Sequence, residues 1–191
     1  MGRSQVVVRD AVLEDLDFLA GLWSTSLRRG ESGVQRADLV AILERVDVLG
    51  THRLVVAEHD ARPAGAVLLL VDTVSSLNLE PTIRVVSPIV LPDVRRQGVG
   101  HALMEAALAF AEQHDIVTLS TAVSPGARES NRFMARLGFS AQATYRLASV
   151  PVVRARLRGQ RAGLTVAGGN GRAATRVIAA RRSMRRSRAA G

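Results

Sequence analysis

Val90-Leu91-Pro92-Asp93-Val94-Arg95-Arg96-Gln97-Gly98-Val99-Gly100 brings two guanidinium groups and two glycines to the junction between an apolar strand and a helix. That combination suits a phosphate. The first N–H groups of a helix have no partner within it, and they stand at the positive end of its dipole. Gly98 and Gly100 carry no Cβ, so a diphosphate can approach the main chain there, and Arg95 and Arg96 add charge-assisted donors at the rim. Two elements must position this loop. Upstream, Ile83 to Leu91 is a strand-like apolar run; downstream, Leu103, Ala106, Ala107 and Phe110 recur at helical spacing between His101 and His114.

Other phosphate loops do not fit. A Walker loop needs G-x-x-x-x-G-K-[ST], and the chain contains no Lys. The dinucleotide fingerprint G-x-G-x-x-G fails because Leu103 stands where the third Gly belongs. Hydrolase signatures such as G-x-S-x-G and H-E-x-x-H are absent as well. His52, His59, His101 and His114 have no metal-ligand spacing, so no metal is expected. With no Cys there is neither a disulfide nor a thiol nucleophile.

What remains, Pro92-x-x-Arg95-x-x-Gly98-x-Gly100, resembles the acyl-coenzyme A signature of the GNAT superfamily of N-acetyltransferases, R/Q-x-x-G-x-G/A after a strand and a Pro. A second landmark follows in the right order, since Phe133-Met134-Ala135-Arg136-Leu137-Gly138-Phe139 is similar to the family's F-Y-x-x-x-G-F. Val6 to Leu16 resembles its opening strand and first helix, with Arg9, Ala11 and the Asp15-Leu16 pair in place. The resemblance spans Val6 to Leu157. It implies an α/β fold: a splayed, mixed, mostly antiparallel sheet flanked by helices on both faces.

Local patterns fill in that frame. Leu54 to Glu58 and Ala64 to Asp72 read as a hairpin turning at Asp60-Ala61-Arg62-Pro63. Ile116 to Val123 reads as a strand from its branched and Thr content. Pro125 to Leu137 reads as a helix that Gly138 ends in the left-handed conformation.

The resemblance also implies a site. Acetyl-coenzyme A is the expected co-substrate, held by Val90, Leu91, Arg95, Arg96, Gln97, Gly98, Val99, Gly100, His101 and Phe133. Its pantetheine arm would lie between Thr82–Leu91 and Ile116–Val123, with a backbone N–H at Val90 polarising the thioester. Pro88 and Pro92 cannot donate, and they bracket the part of the strand that can pair. The family's Tyr acid falls at Met134, whose thioether has no proton to give. Water, Ser130, Ser124 or Tyr145, the last reached from a following strand, could replace it, or the thiolate could leave unaided. Glu80 and Asp72 are the candidate bases. The acceptor would be lined by Trp23 to Arg36, Asp72 to Thr82 and the region after Phe139, although Trp23, on an amphipathic helix with Phe18, Leu19 and Leu22, is more often a core residue.

Composition and charge agree with a single core plus an appendage. Of 191 residues, 47% are apolar, enough for one domain over 1–157. The longest apolar run, Ala64 to Val71, is too short to span a membrane, and no signal-like segment opens the chain, so a cytoplasmic location is expected. All 17 acidic residues lie at or before Glu129, whereas 14 of the 26 Arg lie beyond it. Residues 158–191 therefore read as a basic tail, with Ala173 to Met184 able to form a helix. That tail is either solvated or a contact for nucleic acid or an acidic surface.

The expected activity is transfer of an acetyl group from acetyl-coenzyme A to a primary amine by direct attack in a ternary complex, with room for a homodimer. Two alternatives stand beside it. One is an acyl-coenzyme A sensor that turns over poorly for want of its Tyr acid; the other is a nucleic-acid- or ribosome-associated protein working through the tail.

Overall fold

The computed structural model describes residues 5–28 and 31–160. The chain divides into two compact units, Met1–Ser140 and Ala141–Gly191. The first contains β1 (Val6–Asp10), α1 (Leu16–Leu22), α2 (Ser32–Leu49), β2 (His52–His59), β3 (Arg62–Thr73), β4 (Pro81–Val90), α3 (Val99–Gln113), β5 (Leu119–Thr121) and α4 (Arg128–Arg136). The sheet order is β1-β2-β3-β4-β5, antiparallel except for the parallel β4–β5 pair. This is the mixed, mostly antiparallel sheet that the resemblance implies.

Strand alternation distributes the core to two faces. Leu54 and Val56 of β2 pack with Ala66 against Leu16, Leu19, Trp23, Leu39 and Leu43 from α1 and α2. Val55 and Ala57 point the other way, joining Val67, Leu69, Ile83 and Val85 under Leu103, Ala107 and Phe110 of α3. Because both faces are covered, β2 and β3 are continuous apolar runs rather than alternating ones. Each fully buried Leu or Val in these layers contributes about 1.5–3 kcal/mol.

Three boundaries differ from the sequence reading. The β2–β3 turn uses only Asp60 and Ala61, both left-handed (φ 50° and 59°), while Arg62 and Pro63 already belong to β3. Neither residue is Gly, so the turn chemistry gave no signal of a two-residue hairpin. The last strand of the sheet is Leu119–Thr121, shorter than Ile116–Val123, because its pairing with β4 stops at Val85. Helix α4 starts at Arg128, not at Pro125; Gly138 does take the left-handed conformation after it (φ 90°). The eighteen-residue α2 was not delimited from the sequence at all, and it covers part of the Trp23–Arg36 stretch assigned to the acceptor.

In the second unit, residues 141–149 form no strand and residues 150–160 are helical. The strand that would present Tyr145 is therefore missing, and Tyr145 is 90% exposed. From residue 161 onward the basic tail, including Ala173 to Met184, lies outside the described residues. No helix among the described residues is long and apolar enough to cross a membrane.

Candidate active site

β4 and β5 are joined at one end only. Ile83 donates its N–H to the Thr118 carbonyl at 2.9 Å, Thr82 Oγ1 donates to the same oxygen at 3.0 Å, and Thr121 Oγ1 donates to the Val85 carbonyl at 2.8 Å. Beyond Val85 the pairing ends, yet β4 continues to Val90 along β3. On the side away from β3, β4 from Val86 to Val90 has no strand partner among the described residues, a cleft in the sense of an open strand edge.

A bulge decides which groups face that cleft. Between the pairs Leu68↔Val86 and Ala66↔Ile89, the single residue Val67 stands opposite two, Ser87 and Pro88. Ser87 is left-handed (φ 46°), a conformation that costs an ordinary residue about 1–2 kcal/mol. The consequence is visible in two hydrogen bonds. Ile83 donates towards β5, whereas Leu91, eight residues on, donates towards β3, to the Ala64 carbonyl at 2.8 Å. In an uninterrupted strand both would point the same way. The extra residue reverses the parity, so Val90, next to Leu91, turns its N–H to the open side.

The loop after β4 leads directly to a helix end. Pro92–Val94 makes one 3₁₀ turn, and Gly98, left-handed at φ 90°, precedes α3. The first bond of α3 runs from Ala102 N–H to the Gly98 carbonyl, leaving the N–H groups of Val99, Gly100 and His101 without helical partners. Arg96 is exposed and left-handed (φ 62°) and forms no ion pair among the described residues.

A Cβ on Gly98 would meet no protein atom closer than Val6 Cγ2 at 3.9 Å, while its φ of 90° is a conformation that favours Gly. A Cβ on Gly100 would stand 3.5 Å from Phe133 Cζ; the Phe133 ring occupies that space and meets the His101 ring edge-on at 5.3 Å. Phe133 thus packs on the start of α3.

The remaining residues divide. Arg95 Nη1 pairs with Glu129 Oε2 of α4 at 2.7 Å. Gln97 Nε2 closes the loop on the Asp93 carbonyl at 3.3 Å. Leu91 spends its N–H on Ala64 and its carbonyl on Val94. Ser130 and Ser124 are exposed, and the Ser124 carbonyl accepts from Asn131 Nδ2 at 2.8 Å. Met134 is 5% exposed and belongs to the core under α3. Glu80 is exposed at the far end of β4, about 30 Å along the strand from Val90. Asp72 is held by Arg84 at 2.7 Å. Neither carboxylate is brought to Val90.

Two residues gain a part that sequence reasoning did not assign. Glu129 holds Arg95, and Trp23, 4% exposed, donates its indole N–H to the Ser87 carbonyl at 2.9 Å. For the second, a Pro inside a strand was an available sign of the bulge.

The GNAT acetyltransferase family model matches residues 22–139. Among solved structures, an aminoglycoside N-acetyltransferase in complex with CoA is similar at a TM-score of 0.64 and 20% identity, covering 78% of this chain and 96% of its own. A Bacillus halodurans protein described as a transcriptional regulator aligns at 0.63 and 17% identity, over 76% of this chain and 99% of its own. A ribosomal-protein-alanine N-acetyltransferase from Brucella melitensis aligns at 0.57 and 15% identity, over 76% and 99%. The search of curated proteins finds no match.

Proposed function

This chain is an acyltransferase that belongs to the GNAT acetyltransferase family, and we propose that it moves an acetyl group from acetyl-coenzyme A to a primary amine by direct attack. The observation that carries this reading is the β4 edge beyond Val85, which has no strand partner among the described residues and runs into the N–H groups at the start of α3 that lack helical partners. A neighbour solved with CoA shares the fold.

In this reading the diphosphate rests on the N–H groups of Val99, Gly100 and His101, with Arg95 and Arg96 at its rim. The pantetheine arm lies along β4. Pro88 has no N–H to offer, and Val90, whose N–H the bulge turns to the open side, is taken as the donor to the thioester oxygen. The amine nitrogen, its ammonium proton already lost to water, attacks the carbonyl carbon; the tetrahedral intermediate gives a second nitrogen proton to water and collapses, the C–S bond breaks, and the departing thiolate takes a proton from the solvent, leaving the amide and the free thiol. Met134 supplies none, being a buried thioether. No thiol exists to form an acyl-enzyme on sulfur.

That missing acid favours a second reading, an acyl-coenzyme A sensor with slow turnover. Calorimetric titration with acetyl-coenzyme A, followed by release of free thiol over a panel of amines, separates the two. Binding with amine-dependent thiol release supports the enzyme; binding without release supports the sensor; absence of binding overturns both.

A further inference from the structure

Trp23 closes α1 and is buried among Leu16, Leu19, Leu39 and Leu43, but its indole N–H reaches across to the sheet, where it donates to the Ser87 carbonyl at 2.9 Å. Ser87 is the left-handed residue of the β4 bulge. Leu68 and Ile89, which flank the bulge on β3 and β4, pack against the same cluster as Trp23. The bulge is therefore held from one side of the sheet by a single side-chain donor.

We infer that Trp23 is a positioning residue for acyl transfer, fixing the bulge that turns the Val90 N–H toward the cleft. The inference rests on the reading of Val90 as the thioester donor. Its physical content is parity: the extra residue at Ser87-Pro88 puts Val90, instead of Ile89, on the side that β5 leaves. Without the bulge, Leu91 and Ile89 would face the cleft and Val90 would face β3. A carbonyl taken out of the ladder by a bulge needs another donor when it is buried, and the indole supplies one. Loss of that donor lets the strand relax between registers, and an N–H that contacts the thioester oxygen and stabilises the charge that develops on it in the transition state loses its aim.

The chain has a single Trp, so this position can be altered without a second site being touched. Biosynthetic replacement of Trp23 by 3-benzothienyl-alanine keeps the ring size and exchanges the N–H for sulfur; Trp23→Phe is the genetically simple companion. Two measurements are made on the full chain. One is the amide resonance of Val90 with and without acetyl-coenzyme A, using free coenzyme A as the control that lacks the thioester oxygen. The other is kcat and KM for acetyl-coenzyme A by thiol release with an amine that the wild type accepts.

The wild-type Val90 amide should move with acetyl-coenzyme A and not with coenzyme A, and the benzothienyl protein should lose that difference while still binding both. Turnover should fall about tenfold or more with KM within about twofold, the signature of an interaction made mainly in the transition state. A merely structural role would lower stability and the active fraction and leave the Val90 response of the folded molecules intact. If the analogue keeps both the Val90 response and kcat, the inference is wrong while the Val90 reading stands. If the wild-type Val90 amide ignores the thioester, the Val90 reading fails and this inference with it.

Discussion

Arg95 Nη1 stands 2.7 Å from Glu129 Oε2, which ties the first guanidinium of the loop between β4 and α3 to the opening turn of α4. Both side chains are largely exposed, so the pair contributes at most about 1 kcal/mol to stability. Its effect should be on the ligand. Glu129→Gln removes a carboxylate that competes with phosphate for Arg95, and affinity for acetyl-coenzyme A should rise by about twofold to fivefold, most at low salt. Titration calorimetry at two ionic strengths measures this; an unchanged affinity would mean that Arg95 does not reach the diphosphate.

Gly98 and Gly100 should respond in opposite ways to the same substitution. At φ 90°, Gly98→Ala costs about 1–2 kcal/mol and displaces the N–H groups behind it, so stability and acetyl-coenzyme A affinity both fall. Gly100 lies within α3, where Ala is better by about 0.5–1 kcal/mol and its Cβ makes ordinary contact with Phe133. Gly100→Ala should therefore melt at the same or a higher temperature with affinity retained. A collapse of affinity in Gly100→Ala would place the phosphate where Phe133 lies.

Acid should destabilise the first unit through Asp15. Its carboxylate is 4% exposed, receives two bonds from Arg9 at 2.7 and 2.8 Å and one from Val12 N–H at 2.9 Å. The Arg9 hydrogen bonds hold its pKa below the usual carboxylate range against the opposing effect of burial. A depressed folded pKa means that the contribution is complete above the unfolded value of about 3.9 and disappears as pH falls through the lower folded value. Asp15→Asn should flatten the loss of melting temperature below about pH 4. Arg9→Met, which strands a buried carboxylate, should cost about 2 kcal/mol at neutral pH, read from the urea midpoint.

Met134 tests the missing acid. A buried thioether in the core under α3 predicts that Met134→Ala loses about 2–4 kcal/mol. Met134→Tyr should overpack by about 1–3 kcal/mol without a gain in turnover. A Met134→Tyr protein as stable as the wild type, with thiol release raised tenfold, would show that this side chain faces the thioester after all.

Where the deciding forces are local, the order of residues was sufficient. The strand-to-helix loop, the left-handed Gly138, the amphipathic α3 and the apolar runs of β2 and β3 follow from φ preferences and from periods of 3.6 and 2, which neighbouring residues impose on one another. The tertiary structure decided everything that depends on distant partners. Trp23 meets Ser87 across 64 residues and Arg95 meets Glu129 across 34, and neither residue type announces its partner. Asp60 and Ala61 make a tight turn because β2 and β3 are packed on both faces, although Ala61 does not favour a positive φ. The parity of Val90 likewise follows from one extra residue in β4, and a shift of one residue in a strand reverses every group beyond it. Pro88 hinted at that bulge, but only its pairing with β3 and the indole on Ser87 determined which N–H faces the cleft.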